Sequence, residues 1–413
     1  MDAAAQRDKR IGGTAARAPQ GRPLGSTAKS STTCTSAAEK RAQRYAGLGT
    51  ARSWLLQRAH ALAPNKIAGD VYRTCDCRYA RRERRVGVQY SAEHQGAHYS
   101  GLVNCGSVWA CPLCTAVIQQ RRRGELTQLI DWAYKKQGLA PAMVTLTFPH
   151  CRFDRLDDLL ERQAEAFKKF RSGNVWALFK RRSGFRGLVR SLELTHGRNG
   201  WHPHTHELWL IRRMDEDEQR AFLVFLRERW LKCCIAAGLV DPADDVKCRA
   251  FLRHAVDVRH EVKDSEYLAK QDRSRAWGAD REVVTGSAKA ARAGGVHPHE
   301  FLIRQDKGDR ARFLEYVDAM KGRRQLYWSP GLKQACGVED KSDEQLADES
   351  REPAELLGEL SADDWAIIRA KGKRAQVLEV AEMGNWNLVI RYIISIGCDP
   401  YGMRDPSTDP PPD

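Results

Sequence analysis

The chain has 413 residues, enough at roughly 100–200 residues per domain for about two to four folding units, so a single small domain is excluded. Apolar residues make up 42%, charged residues 29% and aromatics 8%, a balance that excludes a collagen, a membrane bundle and a wholly disordered chain. The 68 Lys and Arg against 53 Asp and Glu leave a net charge of +15, a field suited to an extended polyanion such as nucleic acid and not to a small neutral substrate.

The charge is unevenly placed: residues 1–60 balance to +8 and residues 337–413 to −9, leaving +16 between them. The longest apolar candidate, Leu388 to Gly397, is interrupted by Arg391 and far too short to cross a bilayer. The N-terminus has no apolar signal core, so no membrane partner and a cytoplasmic location are expected. The 12 cysteines then read as thiols or metal ligands and not as disulfides.

Composition divides the chain into four regions. Residues 1–66 read as a flexible basic arm ending in a short helix around Ser53 to Ala63, because stretches such as Gly25 to Ser36 lack apolar periodicity. Residues 67–125 form a small Cys-rich module expected to bind zinc and DNA. Residues 126–336 form the largest region, in which the candidate catalytic residues below all fall, and residues 337–413 an acidic linker with a helical tail. Within the module, Cys105, Cys111 and Cys114 with either Cys75 or Cys77 supply the four thiolates of a structural Zn²⁺ site. Two basic runs flank it, Arg81, Arg82, Arg84 and Arg85 on one side and Arg121, Arg122 and Arg123 on the other, and both are expected to neutralise DNA phosphates.

Residues 117–137 have the period of an amphipathic helix, and Met143 to Phe148 alternate as a strand. A helix follows from Leu156 to Phe170. The strands Gly187 to His196 and Trp201 to Ile211 are joined across Gly197-Arg-Asn-Gly200, a hairpin signal. Asp215 to Gly238 is a long helix, Ala255 to His260 a short strand, and Ser265 to Arg273 a helix that Asp264 can cap. Helices around a central hairpin indicate an α+β fold with an antiparallel sheet. A helical tail from Ala362 to Ile396, interrupted near Gly384, closes the reading.

Eight of the 12 histidines lie between His196 and His299. In His202-Pro-His204-Thr-His206 a strand would place His204 and His206 on one face, where two neutral imidazoles can hold a divalent cation. A two-residue loop at Arg198-Asn199 or Asn199-Gly200 puts Glu193 opposite His204 or His206 respectively, on the same face. The resulting mixed ligand set suits Mg²⁺ or Mn²⁺ with positions open to water. On the helix after the short strand, Tyr267 and Lys270 share a face at i and i+3, and a phenol beside an ammonium is a candidate nucleophile toward phosphate. His297-Pro-His299 repeats the spacing but sits after Gly294-Gly295, as a loop would, and is read as a decoy.

Taken in order, Thr145-Leu146-Thr147, the Glu193 strand with Asn199-Gly-Trp-His-Pro-His-Thr-His206, and Tyr267-x-x-Lys270 resemble the three motifs of rolling-circle replication initiators, the Rep proteins of bacterial plasmids in the HUH endonuclease superfamily. The block from Cys105 to Cys114 and Lys321-Gly-Arg-Arg-Gln-Leu-Tyr-Trp-Ser329 with Gly331-Leu also resemble blocks of one plasmid Rep branch, so the likeness covers about residues 70–335. The resemblance implies an HUH-like antiparallel sheet with flanking helices, and a metal-dependent nickase and strand transferase. Its substrate would be origin DNA presented as a single strand or hairpin, and its partners a host helicase and polymerase. It implies that Tyr267 forms a 5′-phosphotyrosyl link, that His204, His206 and Glu193 hold the cation, and that Lys270 orients the phosphate. The sequence departs from the pattern at Thr205, where a bulky apolar residue is usual, and at Lys263, where related initiators carry a carboxylate one turn before the tyrosine. A conjugative relaxase or single-tyrosine transposase would use the same nick on other DNA. A non-catalytic zinc-containing DNA-binding regulator would bind without a covalent adduct.

Overall fold

The computed structural model describes residues 36–262, 295–348, 354–399 and 403. The first helix, α1 (Ala37–Leu62), opens on a reciprocal capping box between Ser36 and Glu39. Leu48, Ala51, Leu55 and Ala59 line its buried stripe, so the expected flexible arm contains a packed helix from Ala37 onward. Gly and Ala make up much of that stripe, and they carry little hydropathy signal. A short α2 (Ala68–Val71) leads to the hairpin β1 (Val86–Ser91) and β2 (Gly96–Ser100).

The long α3 (Pro112–Gln137) begins with Cys111 at its N-cap and Pro112 at its first position, where the missing N–H costs nothing. It runs across residue 125, so the expected boundary between cysteine module and catalytic domain falls inside one helix. Then come β3 (Ala142–Leu146), α4 (Leu156–Phe170), α5 (Gly173–Ser183), β4 (Gly187–Gly197), β5 (Gly200–Leu210), α6 (Glu216–Ala236), α7 (Asp245–His254), β6 (Val256–Arg259) and β7 (Gly295–Val296). After them follow α8 (Phe301–Arg304), α9 (Asp309–Met320), β8 (Leu326–Trp328), α10 (Leu332–Cys336), α11 (Asp343–Asp348), β9 (Glu355–Leu360), α12 (Ala362–Ala370), α13 (Arg374–Ala381) and α14 (Trp386–Ser395).

Two antiparallel sheets organise these elements, as an α+β fold requires. The larger has the order β6-β3-β5-β4-β7, with β8 also paired to β4. On one of its faces Trp209 is fully buried among Phe170, Trp176, Phe179, Phe185 and Phe222. A buried aromatic of that size removes about 150–250 Å² from water, worth about 4–6 kcal/mol. On the other face Leu126, Leu129, Ile130 and Ala133 of α3 pack against Met143, Val189, Leu208 and Leu210. That helix covers only one end of the strands, and the histidines occupy the other.

The smaller sheet, β2-β1-β9, overturns the expectation of an acidic linker and appended tail. β9 pairs with β1 and completes the cysteine module's sheet from a segment more than 250 residues downstream. Gly358 lets the backbone approach the Trp386 ring, since a Cβ there would stand 2.1 Å from it. The buried Arg374 guanidinium lies over the Tyr79 and Tyr45 rings, at 4.0 and 5.1 Å, and joins α13 to α1 and the module. No helix among the described residues is long and apolar enough to cross a membrane.

Candidate functional site

The hairpin of β4 and β5 builds the first site. Gly197 pairs with Gly200, leaving Arg198-Asn199 as the loop, and Glu193 falls directly opposite His204. Neither loop residue has positive φ, whereas Gly200 turns to φ +86°, the sequence of a type I turn followed by a left-handed bulge glycine. A Cβ at Gly200 would also stand 2.8 Å from the Arg152 backbone. This turn sets the register, and register decides which face every side chain takes.

Glu193 Oε2 lies 3.1 Å from His204 Nε2 and Glu193 Oε1 lies 2.8 Å from His206 Nε2. The three side chains are 10–15% exposed. Two imidazole nitrogens and a carboxylate oxygen bound at about 2.1 Å on neighbouring octahedral vertices stand about 3.0 Å apart, so the residues present fit a divalent cation. Outer partners turn both Nε2 atoms inward: His206 Nδ1 is 2.9 Å from the Thr145 hydroxyl and His204 Nδ1 is 3.3 Å from the His202 carbonyl. Such partners fix ring orientation and raise ligand basicity. Burial lowers His204 below its ordinary range and lowers His206 to about 3, keeping both imidazoles neutral, the form that binds metal.

The interior strand β3, between β6 and β5, also contributes to the site. Thr145 pairs in register with His206, and the Thr147 hydroxyl lies 2.6 Å from His202 Nε2. His202 stacks on His150 at 4.7 Å and on His204 at 4.9 Å, so four imidazoles form a row across the sheet. His150 lies outside the histidine-dense stretch, and only tertiary packing brings it in. Thr205 points to the opposite face, is 1% exposed, and its hydroxyl has no hydrogen-bond partner. That face is core, and an apolar residue would fill the position without a buried hydroxyl.

A second constellation lies in the cysteine module, where Cys77, Cys105, Cys111 and Cys114 are buried with their sulfurs within 4.8 Å of one another. Sulfur separations are 3.5 Å for Cys77 to Cys111, 3.6 Å for Cys77 to Cys114 and 3.7 Å for Cys105 to Cys114. Four thiolates about 2.3 Å from a tetrahedral Zn²⁺ stand about 3.8 Å apart, so the donor set fits zinc. Cys75 is buried but lies outside the group: Cys77 is the fourth member, and Cys75 turns its carbonyl to Arg52 at 2.7 Å. Burial pushes the Cys105 and Cys111 thiols well up, whereas hydrogen bonds from Cys105, Cys111 and Cys77 pull Cys114 well down. No disulfide joins the cysteines among the described residues.

The basic runs divide in two. Arg81, Arg82 and Arg84 are exposed and Arg85 is half-buried, although Arg82 bonds Asp348 at 3.1 Å and Arg85 lies 4.0 Å from Glu359. Arg122 departs from the expectation: its side chain is 13% exposed and held at 2.9 Å by both Glu125 and Asp343. It ties α3 to α11 inside the protein. Its neighbours Arg121 and Arg123 are half-buried and exposed respectively. His299 is fully buried with Nε2 2.6 Å from the Trp109 carbonyl and belongs to neither metal-binding group. Tyr267 and Lys270, with Lys263, Asp264 and the expected helix Ser265 to Arg273, lie outside the described residues.

A family profile described as "Replication protein" matches residues 103–371. The chain is similar to "Protein rep" of Streptomyces lividans, at 29% identity over 367 residues that cover 72% of this chain and 74% of that one. It is also similar to the "Neomycin resistance protein" of Streptomyces cyanogenus, at 31% identity over 153 residues, 30% of this chain and 35% of the other. No solved structure matches.

Proposed function

Because the chain belongs to the replication protein family, we propose that this plasmid replication protein is a rolling-circle initiator that nicks one strand at the origin through a phosphotyrosine intermediate. The observation that carries this reading is the convergence of Glu193, His204 and His206 on one point of an antiparallel sheet, as in HUH endonucleases. In the proposed reaction the Tyr267 phenolic oxygen bonds to the scissile phosphorus as the P–O3′ bond breaks. The phenolic proton is lost to solvent and the departing 3′ oxygen takes one up. The products are a 5′-phosphotyrosyl link and a free 3′-OH that can prime synthesis, and return of that 3′-OH to the phosphorus rejoins the strand.

A divalent cation such as Mg²⁺ or Mn²⁺ held by Glu193, His204 and His206 would polarise the phosphate in the manner of a Lewis acid. Thr145 and the His202 carbonyl keep the two imidazoles aimed, and Lys270 would pair with a phosphate oxygen. The basic balance of the central region suits origin DNA, with a host helicase and polymerase extending from the nick. Tyr267→Phe is the test: it should abolish nicking of supercoiled origin DNA and the covalent adduct while leaving DNA binding intact. A Phe variant that still nicks would mean that another residue is the nucleophile.

A further inference from the structure

A cleft of about 1200 Å³ lies between residues 105–110 of the cysteine module and residues 321–331, larger than the roughly 300–1,000 Å³ of a small-molecule site. Seven Lys and Arg line it against three carboxylates. Each carboxylate already has a cation: Asp343 pairs with Arg122 at 2.9 Å, Glu344 with Arg73 at 3.0 Å and Asp340 with Lys333 at 3.1 Å. Lys321 and Arg324 are exposed and make no ion pair among the described residues; the Lys321 ammonium lies 5.8 Å from the centre of the Tyr72 ring at the cleft wall, and Arg324 acts on Asp340 only through its field. Arg323 holds the segment in place, its Nε bonding Ala319 O at 3.0 Å and its carbonyl accepting from Trp109 Nε1 at 2.8 Å. The half-buried Trp328 ring lines the same cleft, with the Lys333 ammonium 5.5 Å from its centre.

Strand β8, which lines the cleft, is paired to β4, the strand that carries Glu193. β8 pairs with β4 through Ser191 and Leu326, and the Leu192 N–H donates to Gln325 O at 3.0 Å. Arg324 therefore leaves the strand at the level of Glu193. Exposed cations spaced beside an aromatic ring are the elements from which single-strand sites are built, because phosphates need charge and every base has a stacking face.

We infer that this cleft is a single-stranded DNA channel, in which Lys321 and Arg324 hold phosphates, Trp328 meets a base, and the strand is led along β8 to Glu193, His204 and His206. The inference rests on the nickase reading and deepens it by giving the strand a path. It also gives the cysteine cluster a task, since residues 105–110 are one wall.

The test is fluorescence anisotropy of the full chain, without divalent cation so that nothing is cut, against a labelled single strand of about 16 nucleotides over a salt series. The Lys321→Gln/Arg324→Gln double variant, whose melting temperature should match the parent because both side chains are exposed, loses two phosphate contacts. The log–log salt slope should become shallower by about 1.4, which is about 25-fold in affinity at 0.1 M salt relative to 1 M. An unchanged slope and affinity would overturn the channel, as would a duplex of the same sequence that suffers the larger loss. Photocrosslinking of bromodeoxyuridine strands should label the peptide containing Trp328, and labelling confined to residues 81–85 would also overturn it. Nicking by the unmodified chain in Mn²⁺ is scored separately. Its absence alongside the expected slope change would remove the nickase reading and leave the channel standing.

Discussion

Replacing Cys77 by Ser should strip the cysteine cluster of zinc, while replacing Cys75 by Ser should not, although only Asp76 separates the two and both are fully buried. The difference lies in where the sulfurs point. Cys77 Sγ is 3.5 and 3.6 Å from the Cys111 and Cys114 sulfurs, and Cys75 is not in the group. Structural zinc sites bind with about 10–16 kcal/mol of apparent free energy at neutral pH, so one thiolate of four is worth about 3 kcal/mol, or roughly 100-fold in affinity. Serine nearly conserves volume, so packing is little disturbed in either variant. The assay is zinc per chain by mass spectrometry after dialysis against a graded chelator, with thermal melting alongside. Cys111 also caps α3, so loss of zinc should lower the melting temperature as well as the metal content. Retention of zinc by Cys77→Ser, or its loss from Cys75→Ser, would refute the assignment of the four ligands.

Four further outcomes follow from named groups. His204→Ala with His206→Ala should abolish metal-dependent cleavage in a gel assay, and undiminished activity would remove the cation from the reaction. Burial lowers His202 and His206 each from 6.5 to about 3. The unfolded imidazoles take up protons near pH 6.5 and the folded ones do not until about pH 3, so stability is full above pH 6.5 and falls on acidification by up to about 1.4 kcal/mol per pH unit for each. Urea midpoints at pH 7 and pH 5 measure this, and equal midpoints would contradict it. Thr205→Val should raise stability by about 1 kcal/mol by removing a buried hydroxyl that has no partner, seen as a higher melting temperature; a lower one would show that the hydroxyl is satisfied. Arg171→Met should cost about 3–5 kcal/mol in chemical denaturation, because it removes the guanidinium bonded to the fully buried Glu207 carboxylate and leaves it the Trp209 N–H and the field of Arg190 opposite. A loss below about 1 kcal/mol would show that this ion pair is dispensable.

The antiparallel hairpin was legible down to its facing, because an Asn-Gly connection and a period of two narrow the register to two choices that both put Glu193 on the histidine face, and the fold takes the one with Glu193 opposite His204. The helix from Leu156 to Phe170 was legible for the same reason, its apolar residues following a strong 3.6-residue period. Local spacing could not choose between Cys75 and Cys77, since both lie at the short 3₁₀ turn Arg73–Cys75 and only its folded course decides which sulfur faces α3. Nor could it place β9 beside β1, bury α1 along its stripe of Leu48, Ala51, Leu55 and Ala59, or take Arg122 out of the solvent by meeting it with Asp343. His150 and the cleft of residues 105–110 and 321–331 were hidden in the same way. Each depends on surfaces far apart in the chain becoming complementary, and a periodicity confined to one element holds no information about which distant element will cover it.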